Sequence, residues 1–496
     1  MKTVYSWLAI AVLLIAAGAS AEETADDLAR IRSAVVKIRN VSQRTDYNSP
    51  WRKTDCSDDT ASGVIIEGNR ILTVAHAVSD SRYLEVEKEN SGTPYRAEVA
   101  FIGHDCDLAL LTVPDKTFFS DTASLSFGDR TPELTSRVSA YGFPTGGRRI
   151  SVTQGVVSRV DYVIYSHSGR DYHLILQIDA AVNPGNSGGP VLQEGRIAGL
   201  AFQAIAGAEN IGYVIPLTVI RHFLQDIADG VYDGYPDLGI VYSNLLNDAY
   251  RRSLALPAEK SGVVVDAVIP DRAAGERIQP GDILASIDGN VIRNDGNILL
   301  DGNRFSLNEV VERKQAGEKV EFRLFREGRE ISVAIDLRRE AEEMSRANVY
   351  DREPEYLVYG GFIFEPLTRE YLKTWGKNWR DQADKRLLYY YNYYYTDRIY
   401  QERPQIIVLL RVLPAPANRY YAGLSDEIVE RVNGRKISSL SDLAAAFAGQ
   451  TGEFHVIDFE DRAAPCVLSA AQVAEENAQI LGSYGIERDR NVREAE

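Results

Sequence analysis

Short apolar runs separated by turn residues dominate the chain from Leu28 to Pro216. Gly63-Val64-Ile65-Ile66, Arg70-Ile71-Leu72-Thr73-Val74, Leu108 to Val113, Val138-Ser139-Ala140-Tyr141, Leu174 to Ile178 and Ile197 to Phe202 read as strands. Their regular spacing, with little helical periodicity, predicts an all-β sandwich or barrel. The pattern changes after Pro216. Val219, Ile220, Phe223, Leu224 and Ile227 recur at helical spacing before Gly230, which predicts a closing helix. Gly234-Tyr235-Pro236-Asp237 then reads as a turn or linker into a second region that extends to about Leu337. There, Pro280 to Gly289 is a turn, a strand and a turn. Leu307 to Arg313 looks helical, and Val320 to Phe325 with Ile331 to Ile335 looks like a hairpin across Gly328. Arg338 to Glu355 is charged and predicts a helical connector. A third region, Tyr356 to Phe459, repeats the second loosely: Leu424 to Gly434 echoes 280–289 and Leu440 to Phe447 echoes its helix. The charged C-terminal stretch is expected to fray.

A chain of 496 residues is long enough for two to four domains of roughly 100–200 residues each. With 45% hydrophobic and 25% charged residues it is globular, and a formal charge of −16 argues against a nucleic-acid partner. Lys2, the apolar run Leu8 to Ala17 and Ala19-Ser20-Ala21 predict a cleaved signal peptide over 1–21, with a mature start at Glu22. That run falls short of the ~20 residues of a spanning helix. The three cysteines, Cys56, Cys106 and Cys466, are too scattered for a zinc site. An exported chain admits a Cys56–Cys106 pair if distance allows it.

A hydroxyl nucleophile needs a base, an acid to orient the base, and donors for the oxyanion. Of six histidines, His76 ends an apolar strand among small residues and can face a cleft. His222 falls on the polar side of the closing helix, where it reads as solvated, and His167 and His173 fall in a polar loop. Asp107 enters the apolar strand Leu108 to Leu111, where a shielded carboxylate can hold an imidazole tautomer; Asp105, two residues earlier, is the weaker candidate. Ser187 lies in Asn183-Pro184-Gly185-Asn186-Ser187-Gly188-Gly189-Pro190. Glycine permits the turn that aims the N–H groups of Gly185 and Ser187 at one point, an oxyanion hole. Taken alone, the same segment also fits a glycine-rich surface loop.

The order His76, Asp107, Ser187 is that of chymotrypsin-like double β-barrels. Gln177 to Pro190, Thr73-Val74-Ala75-His76 and Asp107 to Leu111 together resemble the signatures of the HtrA/DegP (Do-like) family of serine endoproteases. The resemblance implies a mainly β architecture: a trypsin-like double barrel over 22–231, a PDZ domain over 235–340, a PDZ-like α+β domain with an insertion over 356–460, and a tail over 461–496. It implies a specificity pocket near Gln203, Ala204 and Ile205, in the loop Gln203 to Glu209 that precedes Asn210 to Pro216, and a preference for small aliphatic residues before the cut. It implies that Leu238-Gly239-Ile240 captures peptide C-termini while the peptide adds a strand. Gly360-Gly361-Phe362-Ile363-Phe364 is the corresponding loop of the third domain. The insertion Tyr389 to Tyr395 reads as packing or an assembly surface, and resembles plant-type Deg proteases. Tyr162 to His173 takes the place of the family's sensor loop, with Arg170 a candidate contact to the PDZ domain.

The implied activity is ATP-independent degradation of unfolded or damaged exported proteins in the periplasm or another exported compartment, by homotrimers or multiples of trimers. No cofactor or metal is called for, and no P-loop is present. The competing functions are a chaperone or PDZ scaffold with little proteolysis, and a regulatory protease that cuts one target after a peptide signal.

Overall fold

The computed structural model describes residues 25–493 except 90, 145–146, 205–210, 270, 276, 301, 340–345 and 450–451. The predicted signal peptide 1–21 and Ile205 therefore lie outside the described residues. The chain is mainly β, as the strand pattern predicted. Two sheets make up the first domain. The first has seven strands, in the order Pro94–Arg96, Ser81–Lys88, Val35–Ser42, Ser57–Ile66, Arg70–Thr73, Leu108–Thr112 and Glu98–Gly103. The second closes into a six-stranded barrel of Tyr172–Ile178, Gly212–Pro216, Arg196–Ala204, Pro190–Gln193, Arg137–Gly142 and Ser151–Ile164. The apolar runs are the buried ends of these strands. Ser57–Ile66 turns from exposed to wholly buried at Ala61, and Leu108 to Leu111 is buried on both faces. One core joins Val64, Leu72 and Leu110 of the first sheet to Leu200 and Ile215 of the second.

The closing helix, Leu217–Asp226, is present, but His222 is not solvated. It is 4% exposed, its ring stacks on Tyr235 at 4.0 Å, and Nε2 donates to the Lys314 carbonyl at 3.0 Å. The polar side of this helix is covered by the second domain. His173 likewise lies buried in a strand rather than in a polar loop, and His167 is buried too.

The second domain is a sheet in the order Ile240–Asn244, Val263–Val268, Ile283–Ile287, Lys319–Arg326 and Arg329–Asp336, with the helix Asn308–Glu312. The hairpin across Gly328 is in register from Lys319↔Asp336 to Arg326↔Arg329. The connector departs from expectation: no described residue of 338–355 is helical. Its backbone is satisfied at long range instead, Asn348 N–H donating to Ser168 O at 2.9 Å.

The third domain repeats the plan in an eight-stranded sheet with the helix Leu440–Ala448. As far as residue 493 its C-terminal stretch is built into the fold and does not fray. Cys466–Ser469 pairs with Phe454–Phe459, the helix Ala470–Ser483 follows, and Arg490–Asn491 pairs with Tyr356–Tyr359. Ser469 caps that helix by accepting from Gln472 N–H, and Val473 and Ile480 bury one side of it. The insertion is the helix Lys385–Tyr393, whose Tyr390 hydroxyl donates to Glu460 at 2.8 Å. Just after it, the Tyr395 ring faces Arg272 of the second domain at 5.8 Å and Arg346 at 5.6 Å. No disulfide links Cys56 and Cys106. Cys56 is exposed, whereas Cys106 is buried against the Tyr232 hydroxyl at 3.3 Å, and both are free thiols.

Candidate active site

Thr73 ends its strand, and the single turn Ala75–Ala77 that follows carries His76 to the junction of the two sheets. Asp107 stands at the entrance of the adjacent strand with φ 53°, a left-handed conformation that aspartate tolerates. This turns its carboxylate back on His76. Oδ1 accepts the His76 backbone N–H at 2.7 Å, and Oδ2 lies 2.6 Å from Nδ1. Two contacts from one carboxylate fix both the backbone and the ring, leaving Nε2 for the cleft. Burial pushes the imidazolium down, but the Asp107 charge and hydrogen bond outweigh it and hold His76 above its ordinary range. Burial likewise works to raise Asp107, and the facing His76 and His167 hold it low. Asp105 is engaged elsewhere, accepting from the Tyr232 hydroxyl.

Ser187 sits on the turn before the strand Pro190–Gln193. Gly185 and Gly188 have φ 98° and 80°. A Cβ at Gly188 would lie 2.2 Å from Thr73 Oγ1 and 2.3 Å from Ser62 O, so only glycine lets this turn press against the first sheet. Ser62 grips it there: its N–H donates to Ser187 O at 2.9 Å, and its hydroxyl donates to Gly185 O at 2.7 Å. The Gly188 N–H donates to Ala201 O at 2.7 Å. Between Gly185 and Ser187, the Asn186 N–H donates to Asn183 O at 2.9 Å. The Ser187 hydroxyl donates to the Phe202 carbonyl at 3.2 Å, and the Phe202 ring lies 6.3 Å from that of His76. Gln203 and Ala204 continue the same strand, opposite Tyr213 and Gly212.

The site also holds Ser62 and His104, which sequence reasoning passed over, and His167, which it placed in a polar loop. Ser62 carries no local signal, being one small residue in a strand. His104 and His167 meet at 2.9 Å, Nδ1 to Nε2, and the His167 ring is 6.3 Å from that of His76. The partners lie 63 and 91 residues apart in the chain (167 − 104; 167 − 76), so no motif reveals them.

The second domain's loop has Leu238 buried in its core, and Ile240 paired with Val268. Gly239 O accepts from Ile269 N–H at 2.8 Å, and Gly239 N–H donates to Asp237 Oδ1 at 3.1 Å. Leu238 and Ile240 line a cavity of about 580 Å³ with Val311, Tyr162, Arg170 and Tyr350. Beside it, His173 Nδ1 meets Glu312 at 2.6 Å and Nε2 meets Asp105 O at 3.2 Å. Burial opposes the charge on His173, but Glu312 prevails and raises it to about 9.

Residues 61–200 match the family model of the trypsin-like peptidase domain, and residues 345–492 that of a PDZ domain. The latter includes the C-terminal strands and helix. The chain is 33% identical over 464 residues to Protease Do-like 2, chloroplastic, of Arabidopsis thaliana, covering 92% of this chain and 75% of that protein. It is 37% identical over 344 residues to Protease Do-like 4, mitochondrial, from the same plant, covering 69% of this chain and 66% of the relative. In fold it resembles the structure of the HtrA-type protease AlgW with tripeptide, with a TM-score of 0.50 at 24% identity over 64% of this chain and 98% of that one. A trypsin-like domain, a PDZ domain and these relatives together establish that the chain belongs to the Do-like, or HtrA-type, family of serine endopeptidases.

Proposed function

We propose that the chain cleaves peptide bonds with His76 as general base, Asp107 as the residue that orients and charges it, and Ser187 as nucleophile. The N–H groups of Gly185 and Ser187 are the oxyanion donors. The observation that carries this reading is the 2.6 Å His76–Asp107 pair at the junction where the glycine turn presents Ser187. Rotation of the Ser187 side chain away from the Phe202 carbonyl brings Oγ toward His76 Nε2. His76 takes the proton as Oγ attacks the carbonyl carbon, and the imidazolium then gives that proton to the leaving amine. Water, activated by the same base, releases the acyl group. Ser187→Ala should lower cleavage of unfolded casein by about 10⁴-fold or more while the fold persists. Undiminished cleavage by that variant would sink the assignment.

The substrates we assign are unfolded or damaged proteins of an exported or organellar compartment, cut after small aliphatic residues. The leader-like segment 1–21 and the chloroplastic and mitochondrial names of relatives support the compartment, and the periplasm is its bacterial equivalent. No helix among the described residues is long and apolar enough to cross a membrane. We assign a trimer or a multiple of trimers, to be read by light scattering. Chaperone activity is tested by whether the Ser187→Ala chain still suppresses aggregation.

A second reading, proteolysis gated by a peptide C-terminus at Leu238-Gly239-Ile240, is favoured by one feature. The cavity at that loop borders the sensor-loop residues Tyr162 and Arg170, and Glu312 ties the second domain to His173. A peptide with a free carboxylate should then raise the cleavage rate. Broad digestion with no response to peptide would leave quality control alone.

A further inference from the structure

The connector segment 348–351 is laid along the protease beside the catalytic pair. Asn348 Nδ2 and the Tyr350 hydroxyl both donate to the His167 carbonyl, at 2.8 and 3.1 Å. Asp351 and Asp80 exchange backbone-to-carboxylate bonds in both directions, one of them at 2.8 Å. From the third domain, Arg369 Nη1 reaches the carbonyls of Gly169 at 2.7 Å and Arg346 at 3.2 Å, joining the sensor loop to the start of the connector.

This strap presents two side chains to two histidines. The Tyr350 ring stacks on His167 at 4.0 Å and 16°, and lies 5.3 Å from His104 at 25°. Asp351 Oδ2 meets His104 Nε2 at 3.1 Å. With Nε2–H donating to that carboxylate, His104 turns Nδ1 to His167 Nε2 at 2.9 Å, and the two rings share one proton along that line. His167 is 4% exposed. We propose that Tyr350 and Asp351 of the connector are positioning residues for catalysis, holding the His104–His167 pair beside His76 and Asp107 with His167 shielded from water, so that of His76 and His167 only His76 carries the catalytic positive charge.

The electrostatics give the strap its consequence. The charged and titratable groups facing His167 are Asp107, His104, His76 and Arg44, with Tyr350 stacked over it and Asp351 acting through His104. A proton on His167 would add a second cation that competes with His76 for Asp107 and opposes the imidazolium formed on Ser187 attack. Desolvation prevents this, pushing His167 down to about 3. Removing the Tyr350 ring lets water reach His167 and returns it toward its ordinary value of ~6.5.

The inference rests on His76 being the general base, and it fails separately from that assignment. Ser187→Ala tests the catalytic site, whereas only the shape of the pH profile and the His167 titration test the strap. In the full chain, the rate of labelling by a fluorophosphonate is measured from pH 5 to 9. Wild type should show one acid limb, set by His76. Tyr350→Ala should show a steeper limb, several-fold slower than wild type at pH 5.5 and up to about tenfold slower one unit below the His167 value. Tyr350→Phe, which keeps the ring, should retain the wild-type profile. Tyr350→Ala combined with His167→Gln should recover the single limb. A Tyr350→Ala profile that superimposes on wild type, or a double variant that keeps the steep limb, overturns the proposal. If Tyr350→Ala fails to fold, NMR of the histidine rings in wild type decides, with assignment through His167→Gln. A His167 ring that stays neutral down to pH 5 supports the strap, and one that titrates between pH 5 and 8 overturns it.

Discussion

Two glycine loops hold corresponding places in the second and third domains and differ in what covers them. In the second, Leu238-Gly239-Ile240 borders a cavity of about 580 Å³ shared with the protease and the connector. In the third, Gly360 N–H donates to Asn477 Oδ1 at 3.0 Å, and a Cβ on Gly360 would lie 3.1 Å from Val473 and 3.2 Å from Leu468. Its own C-terminal helix sits on the loop. The same β-rich plan therefore yields one loop beside open space and one sealed by the chain itself. Gly239 N–H is engaged too, on Asp237 Oδ1 at 3.1 Å, so the difference between the loops is the open cavity beside Leu238 and Ile240 and not a free donor at the glycine. We therefore assign peptide capture to the second domain and a structural role to the third.

The largest test of that contrast is Gly239→Val. Gly239 has φ 68°, and a Cβ there would lie 2.2 Å from Arg272 Cβ, with no flexible end to give way. Strain and clash together should cost about 3–5 kcal/mol. A thermal melt reads the loss, and fluorescence anisotropy with a carboxylate-ended peptide should show binding abolished.

Next in size is the His173–Glu312 tie between protease and second domain. His173 is raised to about 9, so its stabilisation is complete below the unfolded value of ~6.5 and is lost as pH climbs from there through about 9. The full swing is on the order of 3 kcal/mol. Thermal melts of the Ser187→Ala chain from pH 6 to 9.5 should record it, and Glu312→Gln should flatten the dependence.

Asn477→Ala is smaller. It strips Gly360 N–H of its acceptor beneath the helix, which should cost about 1–3 kcal/mol in urea unfolding. Peptide binding gained by this variant would break the contrast between the two loops. Smallest is Tyr395→Ala, which removes a ring facing Arg272 and Arg346 at 5.8 and 5.6 Å. Roughly 0.5–1 kcal/mol is expected, read as a slight gain in proteolytic nicking around 346.

Local pattern carried what is local. Apolar runs bounded by turns are the strands of both sheets, and Asp107 and the glycines around Ser187 announce themselves because each needs a special backbone at a strand boundary. His222 was misjudged because a helix's polar face looks the same whether water or another domain covers it. The connector looked helical by charge, yet long-range bonds hold it without a helix, the Asn348 backbone N–H on Ser168 O and its side-chain amide on His167 O. The C-terminal charges concealed the Ser469 cap and the Val473 and Ile480 side of a helix, and the seal on Gly360 depends on a partner 117 residues away. Ser62, His104 and Tyr350 belong to the site through contacts that no spacing encodes.

The unpaired thiols supply two clocks. Cys106 is one residue from Asp107 and fully buried, Cys466 is buried in the third domain, and Cys56 is exposed. A maleimide should therefore mark Cys56 at once and reach the other two only when their surroundings open. With Cys56 replaced by serine, the rate at Cys106 times the loosening of the turn that carries Asp107. The rate at Cys466 times the strand that leads into the helix over Gly360. Whether a peptide speeds one clock and leaves the other unchanged is then a mass-spectrometric measurement, independent of any substrate being cut.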